Sequence, residues 1–422
     1  MKFVSTRGKS EPVSASEAIL KGLANDGGLY VPTHFPYLDY RNLLNIATYV
    51  ELAYEVLAPF FVGDELEKDL AEICFEAFNF PVNLHWYNDS EAVLELFWGP
   101  TAAFKDFGAR FLATSMEKLI KRRNENLTIL VATSGDTGGA VAAAFYKKEN
   151  IKVKVLYPKG KVSQRQEKQL TCWGENIEAY AVDGVFDDCQ KMVKDAFMDQ
   201  NLVKNYSLSS ANSINLGRLL PQMVYPFFAS LEVVQKSKKE PTIIIPSGNV
   251  GNCCGSFWAK TVGAPINEIV LALNENRTLL DYLESGKYEK RASIATLANA
   301  MDVGNPSNVE RLTHLFGDFD TFKKEVSAYS VSDEIIRKEI KRVYENYSYP
   351  VCPHTATGEF VRSQLKKNNP TVVYATAHPA KFETIVEPII KKELTVPPQL
   401  AVLLEKESNY KEIEIDYHLL FE

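Results

Sequence analysis

The sequence predicts an α/β protein whose helices cover both faces of mostly parallel β-sheet, preceded by a mainly helical N-terminal domain. Short apolar runs alternate with longer amphipathic segments over most of the chain, whereas the first eighty residues favour helix. The composition is that of an ordinary globular protein, with 45% hydrophobic and 24% charged residues. A length of 422 residues favours two or three domains over one.

Residues 1–80 are predicted to form the separate, mainly helical domain. Ser14-Ala-Ser-Glu17 is a capping-box pattern that precedes the apolar residues of a first helix, and the apolar spacing over 50–58 indicates a second. Between them, Asp26-Gly-Gly-Leu-Tyr-Val-Pro32 predicts a turn that leads into a short extended segment. We place the boundary near residue 80, so that residues 81–422 form the second region.

In residues 81–422, short apolar runs predict strands and longer amphipathic runs predict helices. The predicted strands are 127–132, 151–156, 177–182, 242–245, 268–273 and 371–375. The predicted helices are 107–123, 137–148, 163–173, 186–199, 215–235 and 251–261. This alternation implies mostly parallel sheet, in which ligands bind beyond the carboxyl ends of the strands.

Composition excludes several classes of function. The net charge of −7 and the scattered basic residues argue against a nucleic-acid or anionic-membrane partner. Six cysteines without a CxxC pattern, and six histidines that never fall within four residues of one another, predict neither a disulfide framework nor a local metal site. The chain has no apolar stretch of about 18 residues and no secretory signal, so we expect a soluble, cytoplasmic protein.

Two glycine-containing loops follow predicted strands and lead into predicted helices. The first anion loop is Thr133-Ser-Gly-Asp-Thr-Gly-Gly139, and the second anion loop is Pro246-Ser-Gly-Asn-Val-Gly-Asn252. Free N–H groups and the helix dipole favour an anion at such a position, and glycine lets the backbone approach it. Each loop, taken alone, is equally compatible with a plain strand-to-helix turn. Neither has the GxGxxG or Gly-Lys-Ser/Thr pattern of nucleotide-binding loops.

A third loop, Gly99-Pro-Thr-Ala-Ala-Phe-Lys-Asp-Phe-Gly108, is called the lysine loop below. It leads into a helix that Asp106 could N-cap. If all three loops follow neighbouring parallel strands, Lys105 lies near both anion loops. Nearby aromatic residues would lower the pKa of its amine and allow it to attack a carbonyl; they are Trp98, Phe104 and Phe107. From composition alone, a lysine beside aromatic residues more often extends to solvent.

Residues 100–108 resemble the cofactor-lysine motif of the threonine synthase family, and the second anion loop is similar to that family's phosphate-loop signature. Further matches follow the family's order along the chain: Ser5-Thr-Arg-Gly8, Asp26-Gly-Gly-Leu-Tyr-Val-Pro32, Thr133-Ser-Gly-Asp-Thr-Gly138, Asn212-Ser-Ile-Asn-Leu-Gly-Arg-Leu-Leu-Pro-Gln222 and Thr376-Ala-His-Pro-Ala-Lys-Phe382. The ordered set is far more specific than any one motif. It resembles the longer form of the family, which has a distinct N-terminal domain.

The resemblance implies fold type II of the pyridoxal phosphate (PLP) enzymes, similar to the tryptophan synthase β subunit, with two mostly parallel α/β lobes around the cofactor. We place the smaller lobe at roughly 100–210 and the larger lobe in the remainder. The implied reaction is that of a carbon–oxygen lyase, in which O-phospho-L-homoserine and water give L-threonine and phosphate. The alternatives are a related lyase acting on another phosphorylated amino acid, and a non-catalytic protein that binds phosphometabolites. We expect a monomer or a homodimer and no metal.

For the cofactor, the resemblance implies that Lys105 forms the Schiff base and then moves protons once the substrate has displaced it. Backbone N–H groups of the second anion loop would bind the cofactor phosphate, from Gly248, Asn249, Val250, Gly251 and Asn252. Val250 and Asn252 stand where the family commonly has Phe and Asp, and the second difference removes a charge. Thr376 is expected to face the pyridine nitrogen, with Thr355 and Thr357 as rivals for this role.

For the substrate, the first anion loop is expected to receive the α-carboxylate or the neighbouring phosphate through Ser134, Asp136 and Thr137. Asp136 could instead N-cap the following helix. We expect Arg218 to bind the substrate phosphate, because a guanidinium matches two phosphate oxygens; its alternative is a surface salt bridge. Short polar side chains precede it and are candidates for the same pocket: Ser210, Asn212, Ser213 and Asn215.

Overall fold

The computed structural model describes residues 1–366 and 368–422. Within these residues the strands are β1 Phe3–Ser5, β2 Tyr30–Pro32, β3 Asn83–Trp86, β4 Glu91–Glu95, β5 Leu127–Ala132, β6 Ile151–Pro158, β7 Ile177–Val182, β8 Leu208–Ser210, β9 Thr242–Pro246, β10 Glu268–Leu273, β11 Ser327–Ser330, β12 Thr371–Ala375 and β13 Lys411–Ile413. All six predicted strands are confirmed.

The α-helices are α1 Ala15–Lys21, α2 Tyr49–Phe61, α3 Leu70–Ala77, α4 Lys105–Arg123, α5 Asp136–Phe145, α6 Gln164–Thr171, α7 Phe186–Met198, α8 Gln200–Tyr206, α9 Leu216–Leu219, α10 Val224–Ser237, α11 Gly251–Val262, α12 Thr278–Ser285, α13 Val309–Phe316, α14 Phe319–Glu325, α15 Asp333–Tyr347, α16 Pro353–Gln364, α17 Glu383–Ile390 and α18 Pro398–Glu405. The predicted helix 215–235 is divided by a 3₁₀ turn, Leu220–Met223. Pro221 in this turn has no N–H to donate, which favours the break. No helix in the described residues is long and apolar enough to cross a membrane.

The N-terminal segment combines α1–α3 with a two-stranded antiparallel sheet, β1–β2. Helix α1 begins after Ser14, whose side-chain oxygen accepts from the backbone N–H of Glu17, as the capping pattern predicts. Rings of this segment pack against helix α4, as in the contacts of Phe107 with Tyr49 and Phe78. The segment therefore shares a continuous apolar core with the rest of the chain. The domain boundary near residue 80 stays a prediction.

The six-stranded sheet has the order β11-β10-β9-β12-β4-β3, and only β3 runs antiparallel to its neighbour. Strand β12 lies between β9 and β4 and pairs with both. Parallel strands end at the same sheet edge, so the lysine loop after β4, Thr376 after β12 and the second anion loop after β9 lie side by side. The lysine loop and the second anion loop therefore follow two strands, β4 and β9, that flank β12 in the same sheet.

The five-stranded sheet has the order β13-β7-β6-β5-β8 and is parallel throughout. The first anion loop follows β5, so it reaches the site from this second sheet rather than from a strand next to β4 or β9. Strand β13 pairs with β7 although it lies far beyond residue 210. The five-stranded sheet thus takes one strand from the C-terminal part of the chain, and the predicted lobe bounds stay a prediction. The prediction of mostly parallel α/β architecture is confirmed.

Candidate active site

Backbone hydrogen bonds join the lysine loop to the segment that follows β12. Ala103 and Ala377 form an antiparallel bridge, and the N–H of Phe104 donates to the carbonyl of Thr376 over 2.8 Å. The N–H of His378 donates to the carbonyl of Ala102 over 3.0 Å. These bonds fix Lys105, the first residue of α4, beside Thr376.

Asp106 does not N-cap the helix, contrary to expectation, because α4 begins one residue earlier. Its carboxylate accepts from the N–H of Thr101 over 2.9 Å and from the Thr101 hydroxyl over 2.7 Å. The Thr101 carbonyl accepts from Nε2 of Gln169 and from Nζ of Lys381, each over 2.9 Å. Thr101 is therefore bonded on both sides, which makes the start of the lysine loop rigid.

Burial lowers the pKa of Lys105 to about 8, while the carboxylate of Asp136 acts in the opposite sense and the cations Arg218 and Lys381 add to the lowering. A substantial fraction of the amine is therefore neutral, and nucleophilic, near physiological pH. The Phe104 ring centroid lies 5.8 Å from Nζ of Lys105. Phe107 packs instead against Tyr225, and Trp98 against Phe97 and His378. Of the three aromatic residues predicted near Lys105, Phe104 is thus the one whose ring lies near its amine.

The second anion loop presents five consecutive backbone N–H groups, at residues 248–252, that have no acceptor among the described residues. Val250 adopts a left-handed conformation, with φ of 60°, and α11 begins at the next residue. The free N–H groups of the loop therefore lie at a turn and a helix N-terminus, which is the arrangement of an anion site. Gly248 is required, because a Cβ there would lie 2.6 Å from Cα of Met301.

The side chains of the second anion loop fix its shape. The amide of Asn252 accepts from the Ser247 hydroxyl and donates to the carbonyl of Pro246, at 2.6 and 2.8 Å. Both ends of this side-chain amide are hydrogen-bonded within the loop, so the backbone N–H of Asn252 is its group available to an anion. Asn249 accepts from the N–H of Ser307 over 2.6 Å and donates to the Ser213 hydroxyl.

The first anion loop is shaped by Thr133, whose hydroxyl accepts from the N–H groups of Gly135 and Gly138 at 3.0 and 2.9 Å. Ser134 and Thr137 are half-buried, and their hydroxyls make no hydrogen bond to the described residues. Both are therefore available to an anion. Asp136 is not an N-cap, because Gly135 holds that position.

The carboxylate of Asp136 accepts from Nζ of Lys381 over 2.8 Å and from Nε2 of Gln166 over 3.2 Å. Burial alone would raise the pKa of Asp136, but the ammonium groups of Lys381 and Lys105 bring it well below its usual range. Asp136 is therefore an ionised partner for cations, and it cannot donate to a substrate anion. The bond to Lys381 uses Oδ1 of Asp136, and the predicted substrate contact of this residue stays a prediction.

Lys381 is the residue of this site that sequence reasoning missed. Its side chain is 0% exposed, and it joins Asp136 in the first anion loop to Thr101 in the lysine loop. The only sequence signal was its place in the motif 376–382. His354 was also missed as a neighbour of Lys105: burial lowers its pKa to about 4, so the ring is neutral, and its Nε2 accepts from the N–H of Ala300 over 3.1 Å.

Arg218 is buried, at 3% exposure, which excludes the surface salt bridge. One Nη donates to the carbonyl of Ala211 over 2.6 Å, and its Nε has no partner. Burial lowers the pKa of Arg218 to about 10, against the influence of the Asp106 carboxyl, so the group stays cationic. No salt bridge of Arg218 is formed among the described residues, so an anionic substrate can accept from its unused N–H.

The four polar residues before Arg218 differ in their availability. Asn215 is fully buried and caps α9, where it accepts from Gly217 and donates to the carbonyls of Ile19 and Ser210. Its amide is thus engaged within the protein, and its predicted substrate contact stays a prediction. The hydroxyl of Ser210 accepts from the N–H of Asn212. Asn212 and Ser213 are half-buried, and Ser213 contacts the second anion loop through Asn249.

The three candidate threonines for the pyridine nitrogen also differ. Thr357 donates to the carbonyl of His354 over 2.7 Å, and the Thr355 hydroxyl lies 3.3 Å from Sγ of Cys352. The Thr376 hydroxyl makes no hydrogen bond among the described residues. This favours Thr376, whose role stays a prediction.

Three family models match the chain. "Pyridoxal-phosphate dependent enzyme" matches residues 93–376, "Threonine synthase N terminus" matches 2–78, and "Threonine synthase, C-terminal" matches 354–420. The residues fit the cofactor, since a lysine of lowered pKa stands beside an anion site made of free N–H groups. The cofactor is pyridoxal phosphate.

Relatives and solved structures agree with these models. Threonine synthase from Serratia marcescens is 39% identical, covering 96% of this chain and 94% of its own, and that from Escherichia coli strain K12 is 38% identical over 95% and 94%. The crystal structure of PLP-bound threonine synthase from Brucella melitensis has a TM-score of 0.93 at 35% identity, covering 100% of this chain and 98% of that chain. The predicted fold type II is confirmed, and the chain belongs to the threonine synthase family of pyridoxal-phosphate-dependent enzymes.

Proposed function

We propose that the protein is a threonine synthase that converts O-phospho-L-homoserine and water into L-threonine and phosphate. The observation that carries this proposal is the position of Lys105, whose amine has its pKa lowered to about 8 by burial. Around it lie the second anion loop with five free N–H groups, the first anion loop with two free hydroxyls, and the cation Arg218. A phosphorylated amino acid and a phosphorylated cofactor together supply anions for these three sites.

The reaction needs several proton transfers, and Lys105 is the group placed to make them. Protons leave Cα and Cβ, phosphate departs from Cγ, and hydroxide from water joins Cβ. Protons return to Cγ and Cα, and the remaining proton of the water goes to the departing phosphate. Pyridoxal phosphate, when bound, supplies the electron sink for these steps. An amine whose pKa lies near the working pH both accepts and returns a proton readily. His354, whose low pKa keeps it neutral, adds no competing charge.

We assign the backbone N–H groups of the second anion loop to the cofactor phosphate, and the Thr376 hydroxyl to the pyridine nitrogen. Thr376→Val should shift the visible absorption maximum of the cofactor-loaded protein, because a hydroxyl donor to the ring is lost. Thr376→Ser should restore it. Thr355→Val and Thr357→Val are the matched controls, since both hydroxyls already have protein partners. A shift in either control, with none in Thr376→Val, would reassign the role.

We assign the first anion loop to the substrate α-carboxylate, through the hydroxyls of Ser134 and Thr137, and Arg218 to the substrate phosphate. Asn212 and Ser213 border the same pocket. In a chain of net charge −7, such a local cation offsets the repulsion of a dianionic substrate.

Arg218→Lys should lower kcat/KM for O-phospho-L-homoserine by about 10-fold to 100-fold, mainly through KM, since a charged hydrogen bond contributes about 1.5–3 kcal/mol. A lysine keeps the charge but loses the planar pair of donors. The measurement is steady-state kinetics at fixed cofactor content. Exposed Arg41→Lys is the control and should leave kcat/KM unchanged. Unchanged kinetics in Arg218→Lys would place the phosphate elsewhere.

The test of the function is an assay of the purified protein with O-phospho-L-homoserine that follows phosphate and threonine together. Equal amounts of both products support the proposal. Phosphate with 2-oxobutyrate, and no threonine, would indicate the alternative lyase. No turnover, and no label on Lys105 after borohydride reduction with pyridoxal phosphate, would indicate a non-catalytic binding protein. We also propose a cytoplasmic location, because all six cysteines are unpaired and buried.

A further inference from the structure

Arg311, in α13, is a buried cation with no acidic hydrogen-bond partner among the described residues. Its side chain is 0% exposed. It donates to the carbonyl of Tyr30 over 3.1 Å, to the carbonyl of Ile214 over 2.7 Å and to the amide oxygen of Asn308 over 2.7 Å. Burial lowers its pKa to about 10, so the guanidinium is charged at physiological pH. Burying an isolated charge is costly unless an anion compensates it.

One of the residues bonded to Arg311, Asn308, contacts the second anion loop. Nδ2 of Asn308 donates to the carbonyl of Asn249 over 3.1 Å, and the N–H of the preceding Ser307 donates to the Asn249 amide. A Cβ placed on Gly251 would lie 3.5 Å from Nδ2 of Asn308. Arg311 is thus separated from this loop by one hydrogen-bonded residue.

The N-terminal motif 5–8 is hydrogen-bonded to Glu310, in the first turn of α13. The Thr6 hydroxyl donates to Oε1 of Glu310, and Nε of Arg7 donates to the same oxygen over 3.1 Å. These bonds pair the Glu310 carboxylate with Arg7 at the surface, while its charge also raises the pKa of Arg311 against the effect of burial. Neither this motif nor 26–32 takes part in the proposed chemistry.

The motif 26–32 supports the same contacts. Asp26 accepts from the Ser5 hydroxyl over 2.7 Å and from the N–H of Gly28 over 2.9 Å. A Cβ on Gly28 would lie 2.2 Å from Oγ of Ser5, so only glycine fits. After this turn, the carbonyl of Tyr30 accepts a hydrogen bond from Arg311. Both motifs therefore converge on residues 310 and 311.

We propose that Arg311 is a positioning residue that supplies positive charge to the cofactor phosphate, and that the N-terminal segment holds it there through Thr6, Arg7 and Tyr30. The proposal rests on the function proposed above. The second anion loop contributes neutral donors and no cation, whereas a phosphate dianion in a buried site needs positive charge nearby. Arg311 acts through Asn308, so it orients the loop as well as compensating the charge.

The test compares the affinities of the apoprotein for pyridoxal phosphate and for pyridoxal, which lacks the phosphate, by absorbance titration. Arg311→Met should weaken pyridoxal phosphate binding by about 10-fold or more, as expected for loss of a charged interaction, and leave pyridoxal binding unchanged. It should weaken inorganic phosphate binding by a similar factor. Arg311→Lys should lose less. Arg362→Met is the control for loss of a buried arginine elsewhere in the fold: Arg362 donates to the carbonyl of Ala92 and also pairs with Glu359. It should leave the ratio of the two affinities unchanged.

A wild-type protein that binds no pyridoxal phosphate would overturn the proposed function itself. An unchanged ratio of the two affinities in Arg311→Met, or a loss shared equally with pyridoxal, would overturn only the role of Arg311. If Arg311→Met does not fold, the half-exposed Arg7→Met tests the same chain of contacts. It should reduce the ratio by about 2-fold to 3-fold, the size expected for a surface ion pair, and an unchanged ratio would overturn the support by the N-terminal segment.

Discussion

Lys105→Ala should abolish turnover of O-phospho-L-homoserine, lowering kcat by a factor of at least about 10⁴, because both the covalent attachment and the proton transfers are lost together. The fold should remain intact, since Thr101 and Asp106, rather than Lys105, hold the lysine loop in place. The measurement is phosphate release under saturating substrate, with circular dichroism as the control for folding. A variant that retains full activity would exclude Lys105 as the cofactor lysine.

In the apoprotein, Lys105→Ala should also change how the free energy of unfolding depends on pH, which an activity assay does not measure. The pKa of Lys105 is about 8 in the folded chain and about 10.4 in the unfolded chain. Between these pH values the unfolded state binds more protons than the folded state, so the free energy of unfolding rises with pH. Because the Lys105 side chain is partly exposed, we expect a rise of about 2 kcal/mol. Urea unfolding at pH 7.5 and pH 10 should show this rise in the wild type relative to Lys105→Ala. Equal rises in both proteins would contradict the lowered pKa.

Features determined by local sequence were predicted well. Continuous apolar runs such as β5 and β9 are strands with every residue buried, because a parallel sheet covered on both faces demands such runs. The two anion loops and Lys105 were found at the ends of strands, where glycine and a following helix mark an anion site. These signals come from residues close together in the chain, so the sequence displays them directly.

Roles that depend on distant partners were not predictable. Asp136 stands at a helix start, which suggested capping, yet its carboxylate pairs with the distant Lys381. Asn215 resembled a polar pocket residue until its bond to Ile19, almost 200 residues away, appeared in the fold. Strand β13 has three partly exposed residues, two of them charged, so no apolar pattern marked it. In each case the deciding contact is tertiary.

Lys381→Met should destabilise the apoprotein by about 3–5 kcal/mol, because it leaves the ionised Asp136 buried without its closest cation. Asp136→Asn should also destabilise, and the double variant should lose less than the sum of the two single losses. Urea unfolding of the four proteins measures the coupling. Lys338→Met, which removes an exposed pair with Glu334, is the control and should cost less than about 1 kcal/mol.

The same two variants should move the reactivity of Lys105 in opposite directions. The Lys381 ammonium lowers the pKa of Lys105 and the Asp136 carboxylate raises it. The rate at which the apoprotein takes up pyridoxal phosphate depends on the neutral amine, so its pH midpoint should rise in Lys381→Met and fall in Asp136→Asn. If Lys381 only filled space, Lys381→Met would leave this midpoint unchanged. Opposite shifts would instead establish that the buried pair sets the protonation of the cofactor lysine, and so the pH range in which it can act.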